Sequence, residues 1–158
     1  IRFLAKWSQD PIDGVELMGV LQGMTKNQLL GLYSVIYQPA GVKYYGLGYG
    51  TGVDRFQFLK EHPEIQNVHI LGLPVLTEAI GLATLPNVSS IDSSLPVKAT
   101  KEGVYLPSAL HADQYAQPEE DTLNPTLLVA NLKAFSQLCR GDFDLTKIFE
   151  TEGSDSVN

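Results

Sequence analysis

The sequence lacks the residues and segments that mark several common classes of protein. A single cysteine, Cys139, excludes an intramolecular disulfide and any zinc site built from several cysteines. The longest apolar runs fall far short of the roughly 18 residues that a membrane-spanning helix needs. No basic segment followed by an apolar one opens the chain, as it would in a secretory signal. We therefore expect a soluble, cytoplasmic protein with no membrane partner.

The sequence also lacks an excess of positive charge. Its 158 residues carry 11 Lys and Arg against 18 Asp and Glu, a formal charge of −7, whereas nucleic-acid binding usually shows as a basic face. The imbalance is concentrated in residues 111–158, with 3 basic and 9 acidic side chains, while residues 1–110 have 8 and 9. The near-neutral part leaves room for a local basic patch. The acidic end would repel phosphate, or it could serve as a solubilising or partner-binding segment.

What is present is an alternation of short apolar segments and helical patterns. With 44% apolar and 18% charged residues, the chain has the composition of a globular domain. The apolar segments predict strands at Glu16–Gln22, Lys43–Gly48, Val68–Leu73 and Val88–Asp92. The helical patterns between them are Thr25–Gln38, Val53–His62 and a stripe of Leu76, Ala79, Ile80 and Ala83. Such alternation predicts parallel strands joined by right-handed crossovers.

Four such units are half of a (β/α)₈ barrel, which needs roughly 250 residues in full. An open, doubly wound sheet of four or five strands would also fit the length. Beyond the strands, the sequence predicts a polar loop at Ser93–Gly103, a helix at Pro125–Cys139 capped by Asn124, and a last helical turn or two at Asp144–Glu150. We expect an α/β part at residues 1–106 and an acidic extension with one clear helix at 107–158.

Polar or glycine-rich residues follow each predicted strand, where the strand ends of a barrel form the active-site face. Gln22 offers a donor pair and an acceptor to a planar heterocycle, or it simply faces solvent before a turn. The glycines of Gly46–Gly52 permit close approach to a ligand, or they form a flexible loop. Leu71 and Gly72 could be an apolar shelf and a bare backbone at a pocket wall, or a buried strand end.

Asp92 is the fourth strand-end feature. A carboxylate in this place suits a nucleophile or a base, and it equally suits a helix cap or an Asx turn. The histidines His62, His69 and His111 have no metal-ligand spacing, and His69 is predicted to be a structural histidine within its strand. Cys139 is predicted to be a buried apolar residue.

Taken together, these segments resemble the C-terminal half of the tRNA-guanine transglycosylases over roughly Glu16 to Leu106. The family's Gly-Ile-Val-Gln-Gly strand is similar to Gly19–Gly23, its Gly-rich strand end to Gly41–Gly50, its Leu-Met-Gly-Val-Gly strand to Ile70–Pro74, and its Phe-Asp-Cys-Val-Met-Pro-Thr-Arg segment to Ile91–Lys98. The resemblance implies a TIM-barrel-type fold with about the last four βα units present. It also implies a pentosyltransferase that exchanges guanine in tRNA or DNA for a 7-deazaguanine, as in queuosine formation.

The resemblance implies a role for each matched position. Asp92 falls on the nucleophilic aspartate, which attacks the ribose C1′ and forms a covalent glycosyl intermediate. The target base must leave its stack to reach that carboxylate. The resemblance also implies six residues that would hold the base: Gln22, Gly23, Gly48, Tyr49, Leu71 and Gly72. It implies two residues that would contact phosphates, Lys98 and Lys101.

The departures from the family define the alternatives. Tyr49 replaces one of two adjacent glycines, and the family's Cys-x-Cys-x-x-Cys zinc motif is absent, so we expect no metal and no other cofactor. The second catalytic aspartate would lie upstream of Ile1, so another chain or an upstream segment is expected to complete the barrel, and this chain alone could be inactive. A divergent phage-type relative is one reading. The others are a non-catalytic transglycosylase-like subunit or assembly protein, and an unrelated small α/β protein that binds a metabolite.

Overall fold

A four-stranded parallel sheet is the centre of the structure, a computed structural model that describes residues 6, 10, 12–109 and 123–142. The strands are β1 (Met18–Leu21), β2 (Tyr44–Gly48), β3 (Val68–Leu71) and β4 (Val88–Ile91), in the order β1-β2-β3-β4. The predicted α/β class and parallel strands are confirmed. Among the described strands each is added beside its predecessor, without the reversal of order that a doubly wound sheet shows.

Five α-helices lie in the described ranges. They are α1 (Lys26–Gly31), α2 (Arg55–Glu61), α3 (Leu76–Ala83), α4 (Leu95–Lys101) and α5 (Pro125–Arg140). Helix α1 continues directly into a π-helical segment, Leu32–Tyr37, and a 3-10 turn covers Leu106–Ala109. The helices predicted between the strands are therefore confirmed.

Side-chain caps explain where three of these helices begin. The Thr25 hydroxyl accepts a hydrogen bond from the Gln28 N–H at 3.3 Å, and the Asp54 carboxylate accepts one from the Gln57 N–H at 2.9 Å. Asn124 accepts from the first N–H groups of α5, with Pro125 in the first turn, as predicted. The predicted helix at Asp144–Glu150 lies outside the described residues, as does most of the segment 107–124.

One prediction, the polar loop at Ser93–Gly103, is wrong because this segment contains α4. Pro96 suggests a loop, yet proline fits the first turn of a helix, where its missing N–H costs nothing. Leu95 and Ala99 lie one turn apart and are both buried, which gives the short helix an apolar face. Gly103 follows with φ +69°, a left-handed conformation that ends the helix.

The two faces of the sheet differ in burial. Leu21, Leu47 and Ile70 are opposite one another on one face and have no exposed surface. Gly19 belongs to the same face, and a Cβ at this position would lie 2.8 Å from Cγ of Tyr37 in the π-helical segment. The opposite face is more open, since Met18 at its edge is 45% exposed. A parallel sheet usually has both faces covered, so this open face is unusual.

The chain divides into two compact units. The first comprises Ile1–Leu73 and Gly81–Asp92 and contains the sheet; the second comprises Pro74–Ile80 and Ser93–Asn158. The second unit has its own apolar core, formed by Leu76, Leu95, Ala99, Leu106 and Leu138. Its core also contains a fully buried polar side chain, Asn131. The predicted division into residues 1–106 and 107–158 stays a prediction.

Candidate functional site

Asp92 lies directly after β4, at the carboxyl end of the parallel sheet. Its backbone N–H donates to the carbonyl of Ile70 at 3.0 Å, which extends the strand pairing to this residue. The carboxylate oxygen Oδ1 accepts a hydrogen bond from the backbone N–H of Gly72. The Asp92 side chain is still 55% exposed, and its other oxygen, Oδ2, lies 3.6 Å from Nε2 of His69. The carboxylate is thus held through Oδ1 and remains accessible.

The loop after β3 supplies the N–H that holds this carboxylate. Gly72 has φ +63°, a conformation that glycine adopts without the steric cost of a Cβ. The carbonyl of Leu71 accepts from the N–H of Tyr49 at 3.1 Å, which ties the ends of β2 and β3 together. A Cβ on Gly72 would lie 3.9 Å from Cβ of Tyr49. The structure therefore brings together Tyr49, Leu71, Gly72 and Asp92, all of which the sequence singled out.

Gly48 borders the same place. It is the last residue of β2 and lies opposite Leu71 in the register. A Cβ at Gly48 would meet no atom within 4 Å, so the space beside this strand end is open. Because β3 lies between this open space and Asp92, the two strand ends share an edge of the sheet without being adjacent.

Arg55 is a site residue that sequence reasoning missed. It is the first residue of α2, set by the Asp54 cap, and only 4% of it is exposed. Its Nη1 donates to the carbonyls of Leu71 at 3.2 Å and Gly72 at 3.1 Å, and its guanidinium lies 5.7 Å from the centre of the Tyr49 ring. The buried arginine thus fixes the peptide whose N–H holds Asp92. The only signal in the sequence was a basic residue directly after a capping aspartate, which is common on solvated helices.

His69 and Ser90 complete this group on the open face of the sheet. His69 Nδ1 lies 2.7 Å from Ser90 Oγ, and His69 Nε2 lies 3.6 Å from Asp92 Oδ2. The sequence predicted a structural histidine with its partners satisfied. The structure gives it two partners, but one of them is the candidate catalytic carboxylate. Its place two residues before Leu71, on the same strand face, was the signal that could have identified it.

Gln22 and Gly23 lie elsewhere in the first unit. They line an open, mostly apolar groove of about 570 Å³ that follows β1 and runs beside α1 and the π-helical segment. The rest of its lining is Met24, Gln28, Gly31, Leu32, Val35 and Ile36. The carboxyl ends of β1 and β4 are separated by β2 and β3, about 14 Å at ordinary strand spacing. The structure does not place these two residues in the Asp92 group.

The two candidate phosphate-binding lysines belong to the second unit. Lys98 is exposed and Lys101 half-buried, and both lie on α4. Lys98 is one turn before Glu102. Burial raises the pKa of the Glu102 carboxyl above its ordinary value, and the charge of Lys98 offsets only part of that rise. Cys139, on α5, is half-buried where a buried residue was predicted, and desolvation raises the pKa of its thiol.

In the ranges that the structure describes, no group of three or more His, Cys, Asp or Glu is arranged to hold a metal ion. None of the described helices combines the length and apolar character needed to cross a bilayer. Comparison with family models, curated proteins and solved structures gave no match to the chain.

Proposed function

We propose that the chain is the nucleophile-bearing part of a base-exchange transglycosylase, which replaces guanine in a nucleic acid with a 7-deazaguanine. The observation that carries this proposal is the carboxylate of Asp92 at the carboxyl end of a parallel sheet, held through one oxygen by the Gly72 N–H while the side chain stays 55% exposed. A carboxylate nucleophile needs a fixed orientation and an accessible oxygen. Both features coincide at the position that the sequence resemblance matches to the catalytic aspartate.

The chemistry follows from that geometry. Asp92 Oδ2 attacks C1′ of the target nucleotide, the C1′–N9 bond breaks, and guanine leaves with the electron pair and gains a proton from solvent. The incoming base then attacks C1′ through its own N9, loses its N9 proton to solvent, and releases the carboxylate. The two displacements replace one direct exchange between poor leaving groups. The nucleotide must be flipped out of its stack before the first step.

The neighbours of Asp92 suit a purine ring. Leu71 offers an apolar surface, the bare backbone at Gly72 allows a close approach, and the space beside Gly48 is open. Tyr49, 70% exposed, provides an aromatic face on which a base can stack. In this proposal the Tyr49 ring holds the base by stacking, whereas a second glycine at this position would hold it through its backbone.

The sheet topology supports a barrel-type arrangement. Strands that follow one another in sequence and lie parallel are the winding of a (β/α)₈ barrel, and four strands supply half of one. Among the described strands, β1 and β4 each pair on one side. We propose that another chain or an upstream segment supplies the remaining units and the second carboxylate. Gln22 would then lie at the mouth of the completed barrel.

The nucleic-acid substrate is proposed to contact Lys98 and Lys101 through its phosphates, in a cytoplasmic setting. The two lysines are three residues apart, about one turn, on α4, which follows Asp92 in the chain. Phosphate contacts position a nucleic acid without selecting its sequence. Both tRNA and DNA present such phosphates.

The test is exchange of radiolabelled guanine into tRNA and into duplex DNA by the wild-type chain and by Asp92→Asn. Asp142→Asn, a change of an exposed aspartate at the end of α5, is the matched control. Once the half that completes the barrel is supplied, the wild type and the control are expected to incorporate guanine, and Asp92→Asn is expected to lose about 10³-fold or more of that rate. Incorporation that survives the loss of Asp92 contradicts it. A folded wild type that incorporates nothing, even with a partner half supplied, supports the non-catalytic alternative.

The groove beside α1 favours a second candidate, a protein that binds a small metabolite. It combines an apolar lining with the amides of Gln22 and Gln28, although Gln28 already accepts a hydrogen bond from the Met24 N–H at 2.7 Å. Calorimetric titration of guanine and 7-deazaguanine separates the two proposals. Binding lost in Gln22→Ala but kept in Tyr49→Ala places the ligand in the groove, and the reverse pattern places it beside Asp92.

A further inference from the structure

The strongest feature that the proposed reaction leaves unused is the line formed by Ser90, His69 and Asp92. Ser90 Oγ lies 2.7 Å from His69 Nδ1, and His69 Nε2 lies 3.6 Å from Asp92 Oδ2. The imidazole is largely enclosed, with 21% of its side chain exposed, whereas the carboxylate is open. The oxygen that faces the ring is Oδ2, because Oδ1 is held by Gly72.

The neighbours of the ring determine where its proton lies. A serine hydroxyl can donate or accept, whereas an ionised carboxylate can only accept. Asp92 therefore favours a proton on Nε2, and Nδ1 then accepts from the Ser90 hydroxyl. Across β2, the register partner of His69 is Gly46, which brings no titratable side chain. In the described part of the chain, Asp92 is the one charged group within ion-pair distance of this ring.

We propose that His69 is a positioning residue for Asp92, oriented by Ser90, and that its Nε2–H aims Oδ2 at the reacting carbon. The proposal rests on the proposed function, in which Oδ2 is the attacking atom. The 3.6 Å separation exceeds a hydrogen bond, and catalytic hydrogen bonds are often long before substrate binds and then tighten. A closer approach of about half an ångström would make Nε2–H donate to Oδ2. This restricts rotation of the carboxylate without removing its charge.

Kinetics of two His69 variants test the proposal. His69→Leu removes the donor and is expected to lower kcat about tenfold with KM unchanged. His69→Gln places an amide N–H near the former Nε2 and is expected to restore at least half of that loss. The matched control is His62→Gln. His62 follows the last residue of α2, and its Nδ1 lies 3.0 Å from Oε1 of Glu64, so it contacts a different carboxylate. Equal losses in both His69 variants, or a change in KM alone, indicate a merely structural role and overturn the proposal.

Imidazole ¹⁵N NMR gives a measurement that does not need activity. The wild type is expected to carry its proton on Nε2, and both Asp92→Asn and Ser90→Ala are expected to produce a mixture of tautomers. A proton on Nδ1 in the wild type overturns the proposal whether or not the chain exchanges bases. If the wild type shows no exchange even when the half that completes its barrel is supplied, the proposed function fails and the aiming of Oδ2 fails with it. A proton on Nδ1 in an active wild type overturns the positioning role alone.

Discussion

Replacement of Arg55 by methionine is expected to destabilise the chain and loosen its candidate site together. Methionine is uncharged and shorter than arginine, and it lacks the Nη1 nitrogen that donates both hydrogen bonds to the loop after β3. The carbonyl of Leu71 retains the N–H of Tyr49, 3.1 Å away, so the larger loss falls on the Gly72 carbonyl. A hydrogen bond from a charged donor contributes about 1.5–3 kcal/mol. Because the two bonds share one nitrogen, we expect a total of about 2.5 kcal/mol.

Urea unfolding followed by circular dichroism measures this loss. With a slope of about 2 kcal/mol per molar urea, the midpoint should fall by about 1 M. The matched control is Lys60→Met on the same helix, where an exposed ammonium lies 5.9 Å from the centre of the Phe56 ring and contributes about 0.5 kcal/mol. Arg55→Lys should lie between the two, since an ammonium cannot reproduce the fork of a guanidinium.

The refuting result is a midpoint for Arg55→Met equal to that of Lys60→Met. It would mean that water or rearranged backbone replaces the guanidinium at no cost. The buried arginine would then be incidental to the loop that holds Asp92, and the account of the site would lose its rigid support.

Three further changes have defined outcomes. Gly19→Ala should lower the free energy of unfolding by about 1–3 kcal/mol, because the new Cβ would lie 2.8 Å from Cγ of Tyr37. Gly48→Ala, which has open space around the new Cβ, should lower it by less than about 1 kcal/mol. Urea unfolding compares the two variants. Asn131→Leu should cost about 2–4 kcal/mol, since this fully buried amide accepts one hydrogen bond at 2.8 Å and donates two at 2.9 and 3.1 Å; equal thermal stability would contradict that. The hydrogen bond from Lys26 at 2.6 Å lowers the pKa of Glu61, so its small contribution to stability is present above the unfolded pKa and is lost as the pH falls through the folded one. NMR titration of Lys26→Met should find the Glu61 pKa closer to 4.5.

The strands and most helices were predictable because their patterns are local. Uninterrupted apolar runs are typical of parallel strands, and caps such as Asn124 announce a helix within four residues. Helix α4 was missed because its polar residues and Pro96 outweighed two buried apolar positions. Those two positions pack into the apolar core of the second unit, and other residues of that core, such as Leu76 and Leu138, lie far from them in the sequence.

The candidate site was predictable only as a set of strand ends. Parallel strands bring their carboxyl ends to one edge, which placed Leu71, Gly72 and Asp92 together. The roles of Arg55 and His69 depend on burial and on neighbours more than ten residues away, which spacing does not encode. Gln22 was expected beside them from the same edge argument, yet two intervening strands separate it from Asp92.

The most direct test of the central claim is to trap the covalent intermediate. The wild-type chain is incubated with a guanine-containing RNA or DNA hairpin without an incoming base, denatured, and examined by intact mass and peptide mapping. The account predicts an adduct that maps to the peptide holding Asp92 and is absent in Asp92→Asn. An adduct that persists in this variant, or that maps to another side chain, would contradict it.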